Sequence, residues 1–150
     1  MTEPAAAPPP TAPVPDDPRR LVLADLVSGL VAGLMEQAAA YERAARRVTG
    51  DLHQSLEDLY RAKQAEIAAL APLARDLGVT AAAPPPPSGP DRPWGVVLGE
   101  AFQAERTLER VVRELAAGAG DPGIRALGAR LNSEIARDRG EVRRLYLRYT

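Results

Sequence analysis

The sequence predicts an all-α fold, an antiparallel up-down-up-down four-helix bundle made of two helical hairpins. Three observations carry this reading. Apolar residues recur at three- and four-residue spacings through four long stretches, the signature of helices with one buried face. Glycine and proline, which end helices, fill the breaks between the stretches. Aromatic residues make up only 4 % of the 150-residue chain, which deprives a β-sheet of side chains it favours.

The first helix is expected from about Arg19 to Val48, where Thr49–Gly50 stops it. Its stripe is Leu23, Val27, Leu30, Leu34, Ala38, Tyr41, Ala45 and Val48. The second is expected from about Asp51 to Leu77, with Gly78 as the glycine after the C-cap. Leu52, Leu56, Leu59, Leu70 and Leu77 form its face, with Ile67 at the edge. The third runs from about Pro93 to Ala117 and gives out in Gly118-Ala119-Gly120. It offers Trp94, Val97, Ala101, Leu108, Val112 and Leu115. The fourth opens at Asp121–Pro122, an N-cap followed by proline at the first helical position. Ile124, Leu127, Leu131, Ile135, Val142, Leu145 and Tyr149 line its face. Helices of about 25 residues are each about 38 Å long, a full bundle length.

Thirteen of the 15 prolines fall at positions 4–18 and 84–93. Residues 1–18 therefore read as a disordered, proline-rich tail. Residues 79–93 read as a semi-rigid linker between a hairpin at 19–78 and a second at 94–150. Residues 19–150 then make one bundle.

Composition excludes several chemistries. Twenty acidic and 19 basic residues leave a net charge of −1, so nucleic acid is not an expected partner. With no cysteine, thiolate catalysis, disulfides and structural zinc are absent. The one histidine, His53, falls early in the second helix, off the core face, and is expected to be exposed. No Ser/His/Asp set and no glycine-rich phosphate loop is present. Arg137, Arg139, Arg143, Arg144 and Arg148 on the fourth helix read as a solvated face that also suits its C-terminal dipole. The start of the first helix, LVLADLVSGLVAGLM, is apolar over a wide arc, but Asp25 interrupts it as a membrane span. No membrane is expected, and the location is expected to be cytoplasmic. The extra apolar face, Val22, Leu26 and Met35, needs cover from the linker or from a second subunit.

Polar residues interrupt the stripes near the middle of each helix. Lys63 and Glu66 fall close to the centre of the second stripe, Glu105 on the third and Asp138 on the fourth. Glu42 lies just off the seam of the first helix, beside Tyr41. Lys63 is the only lysine beside eighteen arginines. Burying an unpaired ion costs several kcal/mol, so these charges must pair, neutralise, bind water or hold a metal. Lys63, Glu66, Glu105 and Asp138 are expected to form one buried polar layer.

The two hairpins parallel each other. Glu42-Arg43 matches Glu105-Arg106, and Lys63-Gln64-Ala65-Glu66 matches Asp138-Arg139-Gly140-Glu141. With LADLVSGLVAGLMEQAAAYERAA and LYRAKQAEIAALAPLARDLG, the layout resembles the ferritin-like superfamily, in particular its small bacterial, rubrerythrin-related domains of unassigned function. That resemblance implies first-helix carboxylates at Glu42 and Glu105, and Glu-x-x-His positions at Lys63-x-x-Glu66 and Asp138-x-x-Glu141. Glu stands in place of both histidines, and Lys63 in place of one glutamate. The implied site is degenerate, with Lys63 supplying the positive charge of a metal. No cofactor is then expected, and the bundle acts as a non-catalytic structural or protein-interaction module, through a protein partner or through self-association by way of the apolar face of the first helix. The alternative is a di-metal binding protein or oxidase whose iron or manganese is held by Glu42, Glu66, Glu105, Asp138 and Glu141.

Overall fold

The computed structural model describes residues 17–86, 89–118 and 120–150, and over them the only regular structure is helix. Helix α1 spans Pro18–Ala45, α2 Gly50–Asp76, α3 Trp94–Gly118 and α4 Pro122–Tyr149. Local chemistry sets most of these boundaries. Asp17 caps α1 by accepting the Arg19 amide at 3.1 Å, and Pro18 follows at the first helical position. The expected tail therefore ends two residues too late, while residues 1–16 lie outside the described part. Helix α1 stops at Ala45 rather than Val48, because the amides of Arg47 and Val48 bond back only three residues, to Ala44 and Ala45. Gly50 (φ +74°) then turns the chain into α2, and Gly78 (φ +70°) turns it out. Asp121 caps α4 through the amides of Gly123 and Ile124, at 2.7 and 3.4 Å.

Helix α1 packs on α2 and α3, and α4 packs on the same two, so α1/α4 and α2/α3 lie on the diagonals. Named contacts give the directions. The Arg20 guanidinium donates to the Asp76 carbonyl at 2.5 Å, joining the start of α1 to the end of α2. Arg47 lies 4.2 Å over the Trp94 ring, joining the end of α1 to the start of α3. Arg148 pairs with Asp51 at 3.8 Å, joining the end of α4 to the start of α2. Neighbouring helices are thus antiparallel, but the up-down-up-down order is corrected. Helices α2 and α3 run the same way, and residues 77–93 connect opposite ends of the bundle. Length explains this. Seventeen proline-rich residues reach about 50 Å at about 3.1 Å each, more than the roughly 40 Å of a 27-residue helix.

The apolar core is in two clusters. One gathers Val27, Leu30, Leu34, Leu70, Leu108, Leu131 and Ile135 with their neighbours. The other gathers Tyr41, Leu52, Leu56, Leu59, Leu98, Val142 and Leu145. All six leucines expected at stripe centres are buried: Leu30, Leu34, Leu59, Leu70, Leu108 and Leu131. The wide apolar arc of α1 is partly resolved within the chain. Met35 packs on the first cluster and Leu26 is half-buried, whereas Leu21 and Val22 stay exposed. By length and composition α1 is apolar enough to cross a membrane, despite Asp25. In the bundle it contributes nine buried residues.

Close helix contact depends on Gly128. A Cβ there would stand 2.8 Å from the Ala116 Cβ and 2.9 Å from its backbone, whereas a Cβ on Gly140 meets nothing within 4 Å. Gly128→Ala is therefore expected to destabilise by about 1–3 kcal/mol through overpacking. Gly140→Ala is expected to stabilise by about 0.5–1 kcal/mol through helix propensity. Urea denaturation of the two variants checks the opposite signs.

Candidate functional site

Between the two apolar clusters lies a charged layer built from stripe positions. On α2 the inward residues run Leu59, Lys63, Glu66, Leu70; on α3, Ala101, Glu105, Leu108; on α4, Ile135, Asp138, Val142. Each polar residue continues the three–four spacing of its leucines, so the backbone delivers it to the interior as it delivers them. Gln37 and Tyr41 on α1 reach the same level.

Lys63 is at the centre, 0 % exposed. Its Nζ donates to Glu105 Oε2 at 2.7 Å, Glu66 Oε1 at 2.9 Å and Asp138 Oδ2 at 3.0 Å. An ammonium has three donors, and all three are used, on three acceptors from three helices. A planar guanidinium forks in one plane and does not reproduce this tripod, which accounts for lysine here in an arginine-rich chain. Burial opposes the charge on Lys63, but Glu105, Glu66 and Asp138 outweigh it and hold the amine's pKa above its ordinary value.

Glu105 is held from both sides. Its Oε1 accepts from the Tyr41 hydroxyl at 2.9 Å and from Gln37 Nε2 at 3.3 Å. Gln37 Nε2 also donates to Tyr41 Oη at 2.8 Å and to the Ala101 carbonyl at 3.0 Å, tying α1 to α3. Burial raises the Glu105 pKa, against the pull of Lys63. Burial and the Glu105 charge push the Tyr41 phenol well above its usual value. The Glu66 pKa is pushed up to about 9, by burial and by the adjoining Asp138 carboxyl. A groove of about 670 Å³ between α1 and α3 has Gln37 and Tyr41 in its wall.

The expected layer of Lys63, Glu66, Glu105 and Asp138 is thus assembled as one contact set, but the wider ligand set is not. Glu42 stands on the flank of α1, paired with Arg46. Glu141 pairs with Arg144 at 2.5 Å and is partly exposed, which lowers its pKa. The register between hairpins explains both. The inward spacing 59-63-66-70 on α2 matches 131-135-138-142 on α4, so Glu66 corresponds to Asp138 and Lys63 to Ile135. Likewise 37-41-44 on α1 matches 101-105-108 on α3, so Tyr41, not Glu42, corresponds to Glu105. Among the described residues no group of three or more His, Asp or Glu is arranged to hold a metal ion.

Three features escape the sequence reading. Gln37 sits on the α1 stripe between Leu34 and Tyr41, and that spacing was the signal for it. Glu109 is buried on α3 and bridges Arg113 at 2.7 Å and Arg139 at 3.1 Å. His53 is half-buried rather than exposed, its Nδ1 lying 2.7 Å from the Ala45 carbonyl at the end of α1. No family model matches the chain, and no curated protein matches it.

Proposed function

We propose that the protein is a non-catalytic, ferritin-like helical bundle that works in the cytoplasm as a structural or protein-interaction module. The Lys63 ammonium carries this reading. It occupies the mid-bundle position where carboxylates converge, and it uses every donor it has on Glu66, Glu105 and Asp138. A divalent cation entering that space would meet an ammonium, and its carboxylate ligands are already engaged. The single long crossover from α2 to α3 supports the ferritin-like assignment, since that connection distinguishes such bundles from simple up-down ones. Exposed Leu21 and Val22 at the start of α1 favour self-association as the mode of interaction.

Metal content tests the reading. Protein expressed in iron- and manganese-supplemented medium and purified without chelator is expected to carry both metals far below one per chain. Near-stoichiometric iron or manganese would replace this reading with the di-metal binding protein or oxidase. Sedimentation equilibrium of the chain and of its Leu21→Ser/Val22→Ser variant tests self-association, with the variant expected to be the smaller species.

A further inference from the structure

The charges of the buried layer do not balance. Three carboxyl groups, none more than 5 % exposed, face one ammonium, so full ionisation leaves two negative charges uncompensated in the core. Their oxygens are also unequally served. Glu105 accepts from Lys63, Tyr41 and Gln37. Glu66 accepts only from Lys63, through Oε1, and its buried Oε2 has no partner. Glu66 Oε1 and Asp138 Oδ2 both accept from the one Lys63 Nζ, at 2.9 and 3.0 Å, which sets the two carboxyl groups side by side between α2 and α4. Two carboxylates do not hydrogen-bond; a carboxylic acid and a carboxylate do.

We propose that Glu66 is a carboxylic acid in the folded protein, its proton on Oε2 and shared with Asp138, and that this proton is a pH-sensitive clasp between α2 and α4. The proton satisfies the orphaned oxygen and removes one of the two surplus charges. Its loss sets a second buried anion against Asp138 on the facing helix. The groups facing Glu66 are Lys63 on its own helix, Asp138 on α4, Glu105 on α3 and, behind Glu105, Tyr41 on α1. The inference rests on this geometry and on the reading that Lys63, and no metal ion, is the cation of the layer.

The sign follows from linkage. A carboxyl protonated in the folded chain and ionised in the unfolded one makes the fold bind more protons, so stability falls as pH rises. The contribution is complete below the ordinary carboxylate range and is lost as pH climbs to about 9. Each pH unit in that window changes the unfolding constant about tenfold for one proton. Glu100 and Glu141, whose pKa values are lowered by Arg92 and Arg144, act below this window.

Glu66→Gln keeps the shape and the Oε1 acceptor and replaces the proton by an amide N–H. Urea denaturation between pH 5 and 8 is expected to show the wild-type unfolding constant rising with pH, and the variant's rising about tenfold less per unit. Infrared spectra of the wild-type protein at pH 7 are expected to show a protonated-carboxyl C=O band that Glu66→Gln lacks. Equal slopes in the two proteins, or no such band in the wild type, would overturn the proposal. The wild-type band decides the question even if the variant fails to fold.

Discussion

Lys63→Met is expected to cost about 3–5 kcal/mol of stability at neutral pH, the range for removing one partner of a buried ion pair. Methionine fills the volume of the stem but leaves Glu105 and Asp138 facing each other without a cation. In the variant the folded state relieves this by taking up protons, so part of the loss returns on lowering pH from 7 to 5. Urea midpoints at the two pH values measure both effects, and an unchanged midpoint at pH 7 would show that the tripod contributes nothing. Lys63→Arg keeps the charge and is still expected to lose most of the same stability, because the fork does not meet three acceptors with no free space around it.

The second large effect lies in the apolar clusters. Leu59→Ala and Leu108→Ala are each expected to cost about 2–5 kcal/mol, since both side chains are at most 4 % exposed and leave cavities behind. Leu59 belongs to one cluster and Leu108 to the other, with the charged layer between them. The double variant should therefore lose the sum of the two to within about 0.5 kcal/mol. A coupling well beyond that would mean that the layer transmits packing strain rather than separating two independent cores.

A buried layer of charge is a poor way to gain stability. Exchanging such groups together for apolar residues of similar volume is often neutral or stabilising. The role such a layer is best suited to is specification of register. Leucine stripes on four helices can slide by a heptad and still bury their faces, whereas the Lys63 tripod closes at one register only. That is consistent with the charges lying on the stripes of α2, α3 and α4 rather than at their edges.

Much of this was legible in the sequence, for a physical reason. Burial in a helix bundle follows spacing along each chain segment, and spacing is written in the sequence. The four helices, the six stripe leucines and the convergence of Lys63, Glu66, Glu105 and Asp138 all follow from it. What spacing does not encode is the relation between segments. The linker read as a device for aiming α3, but not as one that carries the chain to the other end of the bundle. Matching the hairpins by residue type paired Glu42 with Glu105 and Lys63 with Asp138. Matching them by burial shifts both pairs, which is why Glu42 and Glu141 fall outside the layer. Spacing places Tyr41 on an apolar stripe, but its hydroxyl partner on α3 follows only from α1 and α3 being neighbours.

The most direct test of the account uses the fact that Lys63 is the only lysine in the chain. Protein labelled with lysine carrying ¹⁵N at Nζ gives a single side-chain nitrogen signal, with no assignment problem. The account predicts a protonated NH₃⁺ whose hydrogens exchange slowly with water, which persists above the ordinary lysine range and does not respond to added Mn²⁺. A fast-exchanging or neutral amine at pH 7, or a signal displaced by stoichiometric Mn²⁺, would contradict the claim that this ammonium is the permanent cation of the bundle.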